Sequence, residues 1–213
     1  MDKVTTTIAP HFPGGFVTPQ QLIQLAVTAE RHGGRLKITG SSILVSGVPA
    51  EAKDTILAEL GMTNQTFSAP SVRPVALCVG KPGCPRAQQD STVLGLALDK
   101  EFYGQPTPGK LTMGVSGCPN CCAEVLVKDI GLFGLPGGYT LTIGGSAGRQ
   151  ARAGTVVARS LPEHQIIPII TAIIDYYRTH ARSKERLGQL LDRTGLTACI
   201  TQTIPAEYQS CQD

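Results

Sequence analysis

Tryptophan is absent from the chain, and aromatic residues are few: five phenylalanines and five tyrosines. That argues against a binding platform built mainly on aromatic stacking. Charge is also scarce. Asp, Glu, Lys and Arg make up 16% of the residues and the formal net charge is +3. Neither the concentrated basic footprint of a nucleic-acid binder nor the composition of a disordered chain is present. Long apolar runs are missing: the densest, Ile166 to Ile174, is broken by Pro168 and falls well short of the roughly 20 residues that span a bilayer. The opening Met1-Asp2-Lys3-Val4-Thr5 lacks the basic-then-apolar pattern of a secretory signal. A soluble, cytoplasmic protein without nucleic-acid or membrane partners is expected. In that compartment seven cysteines, an odd number, point away from a disulfide framework and towards metal ligation or redox chemistry.

What is abundant is glycine and proline, 24 and 15 of 213 residues, so turns and backbone-led sites should be frequent. The length suits one large domain or two small ones, and the hydrophobic pattern separates two. In residues 1–66, an early strand near Val4 to Ile8 precedes Thr18-Pro19-Gln20-Gln21. That segment combines an N-cap, a first-turn proline and a capping-box glutamine. Leu22, Leu25, Ala26 and Ala29 follow at helical spacing until Gly33-Gly34. Extended runs at Leu36–Thr39 and Ile43–Ser46, joined through Gly40-Ser41, lead to a helix from about Ala50 to Leu60 capped by Gly61. The order β-α-β-β-α is that of a ferredoxin-like half.

Residues 67–213 read as a second, mixed α/β unit, giving an α+β chain overall. Val75-Ala76-Leu77 is a short strand that delivers Cys78 into a loop, and a helix is predicted from Gln88 to Phe102 with Val93, Leu94, Ala97 and Leu98 inward. Leu111, Met113 and Val115 alternate with Lys110, Thr112 and Gly114, predicting a half-buried strand that runs into Gly117-Cys118. Tyr139 to Ile143 alternates likewise and ends in Gly144-Gly145. Helical stripes at Ile166, Ile170, Ile173, Ile174 and Tyr177, and at Leu187, Leu190 and Leu191, are expected to be core.

The cysteines carry the chemistry. Cys78 and Cys84 are followed, after 33 residues, by Cys118, Cys121 and Cys122, and both clusters contain Gly-Cys-Pro (Gly83-Cys84-Pro85 and Gly117-Cys118-Pro119). Glycine lets backbone N–H groups approach metal-bound thiolates, and proline fixes the direction of the loop. Four thiolates on two loops suit a [4Fe–4S] cluster or a Cys₄ zinc site. Cys118 and Cys121 have the spacing of a zinc pair, whereas Cys78 and Cys84 are set too wide for one. Inert thiols and a thioredoxin-like Cys118-x-x-Cys121 pair are the remaining readings; Cys199 and Cys211 lie far off as ordinary thiols.

This pattern, with Lys110 to Ala123 (KLTMGVSGCPNCCA), Lys128-Asp129-Ile130-Gly131, Gly144-Gly145 and Gly148-Arg149, resembles the siroheme and [4Fe–4S] domain of nitrite and sulfite reductases. Gly14 to Gly61 resembles that family's small ferredoxin-like domain. Most members duplicate the pair of domains; one copy stands here, as in the small assimilatory-type sulfite reductases. The resemblance implies that Cys78, Cys84, Cys118 and Cys122 hold the cluster and that Cys122 also reaches the siroheme iron. Cys121 would be a bystander. Asn120, Lys37, Thr39, Arg86, Gly144, Gly145 and Arg149 would contact siroheme, and Lys110 would bind the anion and supply protons. The implied activity is reduction of sulfite to sulfide or of nitrite to ammonia. Because no flavin or nicotinamide motif is present, a separate donor, a ferredoxin or a reductase, would supply electrons, and a homo-oligomer could complete the single copy. The alternatives are a [4Fe–4S] electron carrier and a protein for another modified tetrapyrrole. Two departures thin the expected cation set: Thr112 stands where relatives commonly have a second lysine, and Gly40-Ser41-Ser42 where many have Gln-Arg or Arg-Gln. His11, His32, His164 and His180 show no metal spacing and are expected at the surface, and Gly144 to Gly148 follows no nucleotide-binding pattern.

Overall fold

The computed structural model describes residues 4–39, 42–65 and 69–210. They form two units, divided between Ser68 and Ala69. The first unit begins with β1 (Thr5–Ile8), followed by α1 (Pro19–Arg31), β2 (Arg35–Ile38), β3 (Ile43–Pro49) and α2 (Lys53–Leu60). Its antiparallel sheet runs β1-β3-β2, the ferredoxin-like half expected. The predicted capping box is present: Thr18 Oγ1 accepts from the Gln21 N–H at 3.1 Å, and Gln21 Oε1 accepts from the Thr18 N–H at 2.8 Å. Gly61 ends α2 in the left-handed region, which a residue with a Cβ enters only at a cost.

The helix stripe is narrower than the spacing predicts. Leu25, Thr28 and Ala29 are buried, while Leu22 and Ala26 are exposed. The core of the unit needs only this stripe against Ile8, Val45, Val48, Ile56 and Leu60. Leu36 pairs with Val45, and so shares the helix-covered face, while Arg35 and Lys37 pair with Ser46 and Leu44 on the opposite face. The open face therefore carries Thr5, Thr7, Ser46, Arg35 and Lys37. Gly40 and Ser41, one of the departures, lie outside the described residues.

In the second unit β4 (Ala76–Leu77) leads through a single helical turn, α3 (Gly80–Gly83), to α4 (Ser91–Phe102). Next come β5 (Met113–Ser116), β6 (Ile130–Leu135), β7 (Gly138–Ile143) and β8 (Thr155–Leu161). The long α5 (Glu163–His180), with α6 (Leu187–Thr194) and α7 (Leu196–Thr203), completes it. The sheet order is β4-β5-β6-β7-β8; β4, β5 and β6 are parallel, and the last three are antiparallel. The predicted stripes on α5 and α6 are buried in one core with β5, β6 and β7.

Two expectations are corrected here. The β5 strand is buried on both faces, Gly114 and Ser116 included, because it is flanked by β4 and β6 and covered on both sides. Helix α4 begins at Ser91 under an Asp90 cap, not at Gln88. The Gln88 and Gln89 N–H groups are taken by the Gly117 carbonyl, at 2.7 and 3.0 Å. Its buried face is Ser91, Leu94, Gly95, Leu98 and Phe102, leaving Val93 56% exposed. His164 and His180 are exposed as expected, whereas His11 and His32 are half-buried.

Replacing Thr18 by Ala removes one half of the capping box. The expected loss is about 1 kcal/mol from the first unit, measured as faster amide exchange along α1 with protection in the second unit unchanged.

Candidate functional site

Parallel pairing brings cysteines far apart in sequence to one end of the sheet. Leu77 on β4 is in register with Val115 on β5, so the residues that follow both strands leave the sheet at the same, carboxyl end, where open α/β sheets place their ligands. Cys78 follows β4 at once, its N–H bonded to the Val115 carbonyl at 3.1 Å. Gly117-Cys118 follows β5. The two loops are fastened directly: the Gly117 N–H donates to Cys78 Sγ at 3.2 Å, and Ser91 Oγ lies 3.1 Å from the same sulfur. The Gly117 carbonyl, as described, holds Gln88 and Gln89. A Cβ on Gly117 would come within 2.8 Å of the Gln89 carbonyl oxygen, so only glycine lets these loops close.

The second cysteine loop is two consecutive turns. Cys121 N–H donates to the Cys118 carbonyl at 3.2 Å, and Glu124 N–H to the Cys121 carbonyl at 2.8 Å. Cys121 and Glu124 both take positive φ, 52° and 54°. Ala123 N–H bonds Ser116 Oγ at 3.1 Å, clasping the loop at its base. Along it Cys118 is buried, Cys121 half-buried, and Asn120 and Cys122 exposed; Cys78 and Cys84 are half-buried. Burial, then the neighbouring Cys118 and Cys122, push the Cys121 thiol above its ordinary range. Among the described residues no three His, Cys, Asp or Glu side chains gather around a point that would hold one metal ion. Cys199 is buried against Thr203 and its thiol is pushed up to about 11 by that burial. Cys211 lies outside the described residues.

Beside this loop stands a cluster of charges that sequence reading largely missed. Asp129 is fully buried and its carboxylate accepts four hydrogen bonds. Two come from Thr112, through its N–H at 2.7 Å and its Oγ1 at 2.6 Å. The other two come from the Arg186 guanidinium, through Nε at 3.0 Å and Nη2 at 2.6 Å. The Asp129 carbonyl accepts from the Gly144 N–H at 2.8 Å. One residue thus joins the segment entering the cysteine loop, the glycine loop and the start of α6. Lys110 is exposed at the edge of this cluster. Its ammonium is pushed below the ordinary lysine value, first by desolvation and then by Arg186 and Arg73, with Asp129 opposing. Thr112 is committed to Asp129, which accounts for a hydroxyl at that place. Only the Lys128-Asp129-Ile130-Gly131 match marked Asp129 beforehand; Arg73 and Arg186 had no local signal.

A cavity of about 400 Å³ opens next to the pair, lined by Asp129, Gly145, Arg149, Arg152, Arg186 and Gln189 among others. Gly145 packs against the Lys128 and Leu126 carbonyls where a Cβ would clash. Arg152 is paired with Asp192 at 2.5 Å, and Arg149 is exposed. Arginines and glycine backbone around one hollow suit an anionic ligand with several carboxylates. Arg86 is exposed just past Cys84. In the first unit Lys37 is exposed on the open sheet face, and Thr39 Oγ1 is engaged with Ser42, donating to its carbonyl at 2.8 Å and accepting from its N–H at 3.0 Å. Thr39 therefore closes the hairpin with its hydroxyl.

Residues 68–208 match the nitrite and sulphite reductase 4Fe-4S domain, and residues 2–62 the nitrite/sulfite reductase ferredoxin-like half domain. The chain is 32% identical over 199 residues to the assimilatory-type sulfite reductase of Nitratidesulfovibrio vulgaris, covering 92% of this chain and 91% of that protein. It is 34% identical over 195 residues to the nitrite reductase [NAD(P)H] of Bacillus subtilis, covering 91% of this chain but 24% of that longer protein. Among solved structures, dissimilatory sulfite reductase I superposes with a TM-score of 0.80 at 13% identity over 92% of this chain and 68% of that one. The Mycobacterium tuberculosis NirA protein gives 0.70 at 21% identity over 89% and 38%. At those identities the structures bear on the fold alone.

Removing the guanidinium from the buried pair should be severe. Arg186→Gln is expected to destabilise the second unit by about 3–5 kcal/mol, because it strands the Asp129 charge. Asp129→Asn combined with Arg186→Gln should recover much of that loss, as measured by denaturant titration.

Proposed function

Because the chain belongs to the nitrite and sulphite reductase 4Fe-4S family, we propose that it is a siroheme-dependent oxidoreductase reducing sulfite or nitrite, with electrons passed through a [4Fe–4S] cluster. Cys78, Cys84, Cys118 and Cys122 would hold the cluster, and Cys122, the exposed one of the four, would also serve the siroheme. The observation that carries this assignment is the bond from Gly117 N–H to Cys78 Sγ. It seats two cysteine loops side by side, with a backbone donor already aimed at a sulfur, as a cluster thiolate requires. The donor set fits: four free thiols, on loops fixed by glycine and clasped at Ser116. When bound, the siroheme iron is where the anion is reduced, and the cluster passes it single electrons.

The chain's own residues then have separable tasks. Lys110 binds the anion and holds a proton at Nζ for transfer, a proton made easier to release by burial and by the Arg186 and Arg73 charges. In a partly dehydrated site a cation acts on an anion far more strongly than in water. Arg149, Arg152 and the Gly145 backbone would face carboxylates of the tetrapyrrole, joined by Arg86 and Asn120 near the cysteine loops. A separate ferredoxin or reductase delivers the electrons.

Anaerobically purified protein should contain iron, sulfide and tetrapyrrole, and Cys84→Ser should lose the cluster while Cys199→Ser keeps it. Lys110→Ala should lower turnover with an artificial donor by about 10²–10³, with cofactor content unchanged. Anion affinity should weaken as pH rises through the Lys110 value, which lies below that of an ordinary lysine. A cofactor-replete protein that reduces neither anion would make it an electron carrier.

A further inference from the structure

Cys121 has no part in the cluster assignment, yet it ends a turn that begins at a ligand. We infer that Cys118 and Cys121 are a dithiol that forms an intrachain disulfide by exchange with a small disulfide whenever the cluster is lost, which keeps Cys118 in a recoverable state. The inference rests on the reading of Cys118 as a cluster ligand.

The geometry comes from the turn. Cys118-Pro119-Asn120-Cys121 is closed by the bond from Cys121 N–H to the Cys118 carbonyl at 3.2 Å. Such a turn holds its ends within about 7 Å between Cα atoms, next to the roughly 4.4–6.8 Å that disulfides span. Pro119 presets the second residue of the turn, and both thiols are free. The other partners for Cys121 or Cys118 fit less well. A Cys121–Cys122 bond would bridge one trans peptide, whose Cα atoms are about 3.8 Å apart, below the disulfide range. Cys78 is held on the opposite loop by the Gly117 N–H and by Ser91.

Exposure sets the order of events. Cys118 is 8% exposed, too enclosed to carry a bulky mixed disulfide, whereas Cys121 is half-buried. The Cys121 thiolate attacks one sulfur of the small disulfide, forming a mixed disulfide and releasing one thiol. The Cys118 thiolate then attacks Cys121 Sγ and releases the second thiol. The chain gives up two electrons and two protons, and the small disulfide becomes two thiols. While Cys118 is bound to iron its sulfur is unavailable, so cluster and disulfide exclude one another.

The test starts from the cluster-loaded full chain, titrated with oxidised glutathione while cluster absorbance is followed. Portions are alkylated at intervals and mapped by mass spectrometry after proteolysis. The expected result is a Cys118–Cys121 bridge that appears in step with the loss of absorbance, never before it, and that is opened by a dithiol reductant. After reduction, iron and sulfide should rebuild the cluster; without reduction they should not. In Cys121→Ser, Cys118 should stay a thiol and end alkylated instead. A bridge mapped to Cys78, Cys84 or Cys122, or a Cys118 that stays alkylatable in the unaltered chain after the absorbance is gone, overturns the inference. A preparation that never shows cluster absorbance defeats the ligand reading alone, and the bridge is then scored directly on addition of oxidised glutathione.

Discussion

The site depends most on a carboxylate that touches no ligand. Asp129 is buried at the start of β6 and is held by Thr112 from one side and Arg186 from the other, while its own carbonyl anchors Gly144. A buried charge of this kind is tolerable only when fully bonded, so the three segments that bond it are fixed relative to one another. Those segments are the approach to the cysteine loop, the glycine loop and the head of α6. The Arg186 guanidinium owes its placement to this arrangement. Asp129 offsets part of the repulsion that Arg186 exerts on Lys110.

The cysteine loops are ordered by a different force, the register of a parallel strand pair. Once β4 and β5 align Leu77 with Val115, the thiols emerge at one end of the sheet without any direct attraction between them. The remaining adjustment is made by the two hydrogen-bonding groups of Gly117, its N–H towards Cys78 and its carbonyl towards Gln88 and Gln89. That second role also explains why α4 starts three residues later than its composition suggests.

Local signals in the chain were legible where they were self-contained. The Thr18 capping box, the Gly61 cap and the α5 stripe all depend on residues near one another, and each is found as read. What escaped reading depended on partners distant in sequence. The double burial of β5 follows from neighbours on both sides, and β8, with Thr155, Arg159 and Ser160 partly exposed, shows little alternation. The assignment of Lys37, Arg86 and Arg149 to a cofactor rests on resemblance rather than on contacts among side chains. Thr112 looked like a lost cation because the sequence gives no hint that Arg186, 57 residues beyond Asp129, approaches the same carboxylate.

That separation bears on biosynthesis. Contacts between residues far apart in the chain form late, since the intervening segment must first be made and ordered. A nascent chain that has extended through Gly148 already carries Cys78, Cys84, Cys118, Cys122 and the glycine loop, yet its Asp129 still lacks the guanidinium that Arg186 will bring. The cysteine loops are therefore complete before the Asp129–Arg186 pair can close. Folding on the ribosome would follow that order, with the two cysteine loops first and the pocket beside Asp129 only once the C-terminal helices have folded back.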